Sequence, residues 1–140
     1  MSETEVPEGF ERHFRRSGLT DPWEPLYSRK LDDRIQMGLI LAEPHCNSRG
    51  LVHGGLIAAL ADNAMGLSCV VALANAGRDA GKGLVTVSLG VDYVGSAKLG
   101  EWLLIDPEPV KVGGSIGFAR ALIRSQDKPV AMANATFKIL

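Results

Sequence analysis

GLIAALADNAMGLSCVVALANA, Gly55 to Ala76, directly preceded by His53-Gly54, is the stretch on which the reading of this chain turns. It is long and apolar enough for a continuous helix, and it reaches the ~20 residues that span a bilayer. Asp62, Asn63, Ser68 and Asn75 interrupt it, and alanine and glycine supply most of its length. An aspartate near the middle costs roughly 3 kcal/mol on an insertion scale, which alanine cannot offset. A helix apolar on all sides yet too weak for lipid is expected as the buried helix of a soluble domain. At helical spacing the neighbours of Asp62 are Ala58, Ala59, Met65 and Gly66, none of them cationic. A carboxylate so placed is either paired by something distant in sequence or destabilised enough to be chemically useful.

Upstream, Ile35, Met37, Leu39 and Leu41 alternate with other residues, a strand signal over 35–42. The loop from Glu43 to Val52 is rich in turn formers. Residues 1–34 read as an N-terminal arm. In it Phe10 to Phe14 predicts a short helix, Pro22 and Pro25 break any longer one, and Trp23, Leu26 and Tyr27 pack the arm on the domain. Downstream, Val85, Val87, Leu89, Val91 and Tyr93 alternate as a strand. Glu101 to Val112 is extended, but Pro107 and Pro109 make it an edge strand or a bulged one. Gly113-Gly114 predicts a hairpin turn into 115–124, and the turn at Gln126 to Pro129 leads to the last strand. The expectation is an α+β domain over 35–140, an antiparallel curved sheet of about five strands wrapped around one long helix.

The 140 residues fit one domain with one core, and a formal net charge of −1 gives no case for nucleic acid or anionic membrane as partner. The two cysteines, Cys46 and Cys69, form no C-x-x-C pair and are expected as reduced thiols in a cytoplasmic protein. The acidic start, with Glu3, Glu5, Glu8 and Glu11, does not resemble a signal peptide. His45, Cys46 and His53 fit no standard metal spacing, and Cys46 has no base at motif spacing, so neither a metal nor a cysteine nucleophile is expected.

Asn47-Ser48-Arg49-Gly50-Leu51-Val52-His53-Gly54-Gly55 leads straight into the helix, and Asp62 follows His53 by nine. Gly54 and Gly55 let a ligand approach the N–H groups of the helix start, and those donors with the helix dipole suit an oxygen that gains negative charge. Asn47 and His53 add side-chain donors at the same mouth. Asp62 is placed to act as general base or nucleophile, with burial raising its pKa toward a useful range. Gly55 and Asp62 lie about 10 Å apart along the axis, too far to touch one carbon. Two antiparallel helices related by a two-fold bring Asp62 of one chain to Gly55 of the other, so the site is expected between subunits.

This motif, followed by Ala59-Leu60-Ala61-Asp62 and by Asp92-Tyr93-Val94-Gly95-Ser96-Ala97-Lys98-Leu99-Gly100, resembles the hotdog-fold acyl-CoA thioesterases of the phenylacetate-pathway and 4-hydroxybenzoyl-CoA type. The resemblance runs from about Ile35 to the C-terminus. It implies that Gly54 N–H, helped by Asn47, polarises the thioester carbonyl, and that Asp62 from the partner subunit activates water or attacks. It places His53 near the thioester or the leaving thiolate and Thr86 at the water, although simple alternation puts Thr86 opposite the apolar face of its strand. The implied substrate is a thioester of CoA or of acyl carrier protein, with no cofactor, and the implied assembly is a dimer or a pair of dimers. Two other activities share the fold. A hydratase or dehydratase needs a histidine a few residues after the aspartate, where this chain has none. A non-catalytic acyl-CoA binder would leave the same residues idle.

Overall fold

The computed structural model describes residues 3–140. A single helix, α1 (Gly54–Asn75), lies across one antiparallel sheet. The strands are β1 (Glu11–Arg12), β2 (Tyr27–Lys30), β3 (Ile35–Ile40), β4 (Leu84–Tyr93), β5 (Trp102–Val112), β6 (Ile116–Ser125) and β7 (Lys128–Ile139), in the spatial order β1-β2-β3-β5-β6-β7-β4. This is the hotdog arrangement, with seven strands where the sequence predicts about five.

The two extra strands come from the arm. The stretch expected as a helix at Phe10 to Phe14 is instead extended, because Glu11 and Arg12 pair with Ser28 and Tyr27 of β2. β2 in turn pairs with β3 along Tyr27 to Lys30. Leu26 is 1% exposed, a burial that contributes about 1.5–3 kcal/mol. Trp102 lies flat over Gly38, where any Cβ would fall 2.2 Å from its ring, and it takes Phe10 edge-on at 5.0 Å. His45 locks the other end of the arm: Nδ1 accepts from Ala42 N at 2.9 Å, which leaves Nε2–H to donate to Trp23 O at 2.7 Å.

The alternating Ile35, Met37 and Leu39 of β3 face the helix and are buried with Leu60, Ala61, Ala64 and Met65. Ser68, in mid-helix, donates to Ala64 O at 2.7 Å and accepts from Ile35 N at 3.1 Å, tying α1 to β3. The prolines of β5 satisfy both halves of their expectation. β5 is central through Ile105, but β3 pairs with it only from Trp102 to Ile105, so Pro107 and Pro109 stand where that side is free. A bulge follows between Pro109 and Lys111. The β5–β6 hairpin is clamped by Arg78, whose guanidinium donates to Gly113 O at 2.6 Å and Gly114 O at 3.0 Å. The β6–β7 turn uses Gln126 and Asp127, both at positive φ, as a two-residue hairpin requires.

The helix is not apolar and buried all round. Leu56, Ile57, Leu60, Ala61, Ala64, Met65, Ser68 and Cys69 pack on the sheet. The stripe carrying Ala58, Ala59, Asp62, Asn63, Gly66, Leu67 and Val70 is only half covered in the single chain. Its composition hid the difference, since small and apolar residues occupy both faces.

Candidate functional site

At the start of α1 the residue types explain the geometry. His53 is the N-cap, and its Nδ1 accepts from Gly55 N at 2.8 Å. Nδ1 therefore carries no proton in this arrangement, the proton sits on Nε2, and Nε2–H has no partner among the described residues. The sequence reading gave both glycine N–H groups to a ligand. His53 takes one, and the N–H of Gly54 has no partner among the described residues. The carbonyl of Gly54 accepts from Tyr93 Oη at 2.5 Å. The Tyr93 ring lies so close that a Cβ on Gly54 would meet it at 3.0 Å. A side chain there would have to displace the tyrosine ring by a few tenths of an ångström.

Asn47 holds the loop that precedes the cap. Its Oδ1 accepts from Arg49 N at 2.9 Å and Leu51 N at 3.2 Å, while its backbone N–H donates to Leu51 O at 2.8 Å. The side-chain Nδ2 has no protein partner among the described residues, so Asn47 combines a structural oxygen with a free donor. Cys46 bridges to Val52, and His53 N donates to His45 O at 3.0 Å, which carries the loop directly into the cap.

Asp62 is two turns further on. It is half-exposed rather than fully buried, because it lies on the open stripe of α1. Its partner is Thr86, whose Oγ1 donates to Asp62 Oδ1 at 2.6 Å. Strict alternation would turn Thr86 away from the helix, and a bulge is the reason it does not. Thr86 opposes Phe137 and Ser88 opposes Thr136, with Val87 left over between them. Leu84 and Thr86 face the helix before the bulge, and Leu89, Val91 and Tyr93 face it after, opposite Ala135, Ala133 and Ala131. Val87 itself is 64% exposed.

The five residues singled out in the sequence thus fall into two groups within one chain. Asn47, His53 and Gly54 stand in the loop and first turn of α1, each with a donor that has no partner among the described residues, and Asp62 with Thr86 forms a held carboxylate. Eight residues separate Gly54 from Asp62, about 12 Å along the axis. Donors of the first kind stabilise a developing oxyanion, and an oriented carboxylate removes a proton from water or attacks a carbonyl. Tyr93, which fixes the first turn of the helix through Gly54 O, was missed as a site residue, although its alternation with Leu89 and Val91 already put it on the helix-facing side. Burial pushes the Cys69 thiol up to about 11 and the Cys46 thiol up as well, so both are poor nucleophiles.

A trough of about 1200 Å³ opens from Asp62 along α1, between the arm and the loop before β4.

With that geometry in view, the chain can be set beside known proteins. The family model described as "Thioesterase superfamily" matches residues 49–132, which include His53, Gly54, Asp62 and Thr86. A protein of Pseudomonas aeruginosa bearing the name "Putative esterase" is 37% identical over 135 residues, 96% of this chain and 97% of the relative. Human acyl-coenzyme A thioesterase 13 is 36% identical over 78 residues, 54% of this chain, and the match spans about half (50%) of the human protein. Among solved structures, zebrafish thioesterase superfamily member 2 superimposes with a TM-score of 0.78 over 89% of this chain and 88% of that one at 22% identity, a likeness of fold.

Proposed function

Because the chain belongs to the thioesterase superfamily, a family of thioester hydrolases, we propose that it cleaves acyl-CoA to a carboxylic acid and CoA at a site completed by two subunits. The observation that carries this reading is the Thr86–Asp62 hydrogen bond at 2.6 Å, an oriented carboxylate standing on an open helix face. The name of the human relative, an acyl-coenzyme A thioesterase, supports CoA as the carrier.

In this mechanism the thioester carbonyl oxygen accepts from Gly54 N–H and Asn47 Nδ2. Asp62 of the partner chain takes a proton from water, whose oxygen attacks the carbonyl carbon, while Thr86 fixes the carboxylate that receives the proton. Direct attack by Asp62, giving an anhydride that water then opens, uses the same contacts. The tetrahedral oxyanion collapses and breaks the C–S bond. The thiolate departs beside the Nε2–H of His53, which donates a hydrogen bond to it, and takes up the proton that Asp62 received from water, which restores the carboxylate. The sharing of the site rests on the ~12 Å between Gly54 and Asp62 and on the half-covered stripe of α1, which a two-fold related helix would cover. The long free edge of β4 supports pairing of two chains there, and two such dimers then form a tetramer. A cytoplasmic setting, where Cys46 and Cys69 remain thiols, belongs to the same reading.

The test is thiol release from a panel of acyl-CoAs by the wild type and by Asp62→Asn. Turnover should fall by on the order of 10²-fold or more in the variant, with acyl-CoA still bound in a calorimetric titration. Near-wild-type hydrolysis by Asp62→Asn would remove this residue from the mechanism. Absence of thiol release by the wild type across the panel would overturn acyl-CoA as substrate.

A further inference from the structure

Helix α1 opens on two glycines, and glycine is the residue that loses most conformational freedom in a helix. The turn that must aim the Gly54 N–H is therefore built from the residues least able to hold it. Two side chains outside the helical ladder supply the hold. Tyr93 Oη donates to Gly54 O at 2.5 Å, and Gly55 N donates to His53 Nδ1 at 2.8 Å. Gly54 C=O and Gly55 N–H are the two ends of one peptide plane. That plane is gripped at both ends, which fixes ψ of Gly54 and φ of Gly55 together. Every donor in this series points the same way, from the Tyr93 hydroxyl through the peptide to the imidazole, whose Nε2–H is the far end. Tyr93 is itself well anchored. It closes β4 opposite Ala131, and the next two amides, Val94 N and Gly95 N, both donate to Val130 O at 3.0 Å. Gly95 lies so close to β7 that a Cβ there would fall 2.6 Å from Pro129 O.

We propose that Tyr93 is a positioning residue of this site: through the 54–55 peptide its hydroxyl holds the Gly54 N–H in place and keeps the His53 proton on Nε2. The proposal rests on the thioesterase reading above and adds to it a residue that acts through two others. If the peptide turns, Nδ1 loses the donor that faces it, and either ring nitrogen can carry the proton. Two effects are separable by size. Bonds in series strengthen one another by about 10–30% each, too little to move a rate alone. The hold on the glycines is larger, because a hydrogen bond of ordinary net strength changes the population of the aligned turn about two- to tenfold. β4 then grips the site twice, at Thr86 for the carboxylate and at Tyr93 for the donors. In a pair of chains joined along β4, each such strand serves both sites.

The experiment compares the wild type with Tyr93→Phe, which keeps the ring over Gly54 and removes only the hydroxyl; the side chain is 51% exposed, so the fold accepts the change. Nitrogen NMR of the histidine rings is recorded without substrate, and His53 is assigned by its absence in His53→Gln. The wild type should show Nδ1 without a proton and Nε2 with one. In Tyr93→Phe the two ring nitrogens should move toward a common shift as the tautomers mix, and Gly55 amide exchange should quicken about two- to tenfold. The kcat of thiol release should fall by the same factor, with KM changed less. 4-Aminophenylalanine at position 93 keeps a donor on the ring and should restore both readouts. A merely structural hydroxyl would lower the melting temperature and leave the tautomer unchanged. Wild-type ring nitrogens or a wild-type kcat in Tyr93→Phe would therefore overturn the proposal, as would a loss that 4-aminophenylalanine does not restore. The spectra need no turnover, so a wild type that releases no thiol refutes the thioesterase reading, and the ring nitrogens still decide whether Tyr93 positions His53.

Discussion

Replacing Thr86 by valine removes one hydroxyl and almost nothing else. Valine matches threonine in shape and branching and suits a strand, and position 86 is exposed in the single chain. The folding cost should therefore stay within about 0.5 kcal/mol, as for most surface substitutions. The loss at the site is larger. The Thr86 hydroxyl meets Asp62 Oδ1 at 2.6 Å, the range of a charge-assisted bond. Hydrogen bonds to charged groups contribute about 1.5–3 kcal/mol net, and solvent at a half-exposed carboxylate favours the lower part of that range. At 1.4 kcal/mol per factor of ten, kcat should fall about 10- to 100-fold. KM should move little, because in the proposed mechanism the carboxylate acts on the reacting water rather than on the bound acyl-CoA. Stopped thiol-release rates at saturating acyl-CoA give kcat, and a thermal melt checks the fold. Thr86→Ser keeps the donor and should retain most of the activity. Wild-type kcat in Thr86→Val, or an equal loss in Thr86→Ser, would refute the argument that this hydroxyl orients the catalytic carboxylate.

If the site is shared, mixing inactive Asp62→Asn and Asn47→Asp chains should restore activity, because one of the two sites in each heterodimer is then wholly wild type. No recovery, with heterodimers shown by native mass spectrometry, would mean that both groups act from the same chain. His53→Ala should lower kcat while leaving the melting temperature within a few degrees, since the cap it supplies to Gly55 contributes about 1 kcal/mol. A collapse of the melt would make its role structural. His13 is 7% exposed, and burial lowers its pKa below the ordinary 6.5. The unfolded chain then binds the proton more readily, so stability is fully present above about 6.5 and is lost as pH falls below it. The melting temperature of His13→Gln should show a weaker decline from pH 7.5 to 5.5 than that of the wild type, and parallel declines would exclude His13 as the source.

What the sequence made legible was local. The alternation of Ile35, Met37 and Leu39, the apolar run of α1 and the turns at Gly113 and Gln126 each carry their signal within a few residues, and each recurs in the fold. The motif could be singled out because Asn, His-Gly and Asp stand at fixed spacing around the start of one helix. The arm was misread at Phe10 to Phe14 because its extended form depends on a partner strand fifteen residues away. Thr86 was placed on the wrong face because one unpaired residue, Val87, resets the alternation and leaves no mark in composition. His53 was read as a side-chain donor, and the cap geometry restricts that role to Nε2 because Nδ1 accepts from Gly55 N. Which stripe of α1 stays open was hard to read because alanine and leucine occupy both sides of it.

The sheet ends unequally. At one side stands β4, ten residues long, and at the other β1, two residues long. A strand added to β4 finds a long run of unused amides and carbonyls, whereas one added to β1 finds almost none. Two copies that join β4 to β4 therefore use up the longest outer edge among the described strands and halt as a closed pair. Chains that docked head to tail would instead need β1 to receive a full-length strand, and so fibre extension has no foothold. The N-terminal residues that contribute β1 and β2 act in this sense as a terminator, limiting how far a molecule with one inviting edge can polymerise.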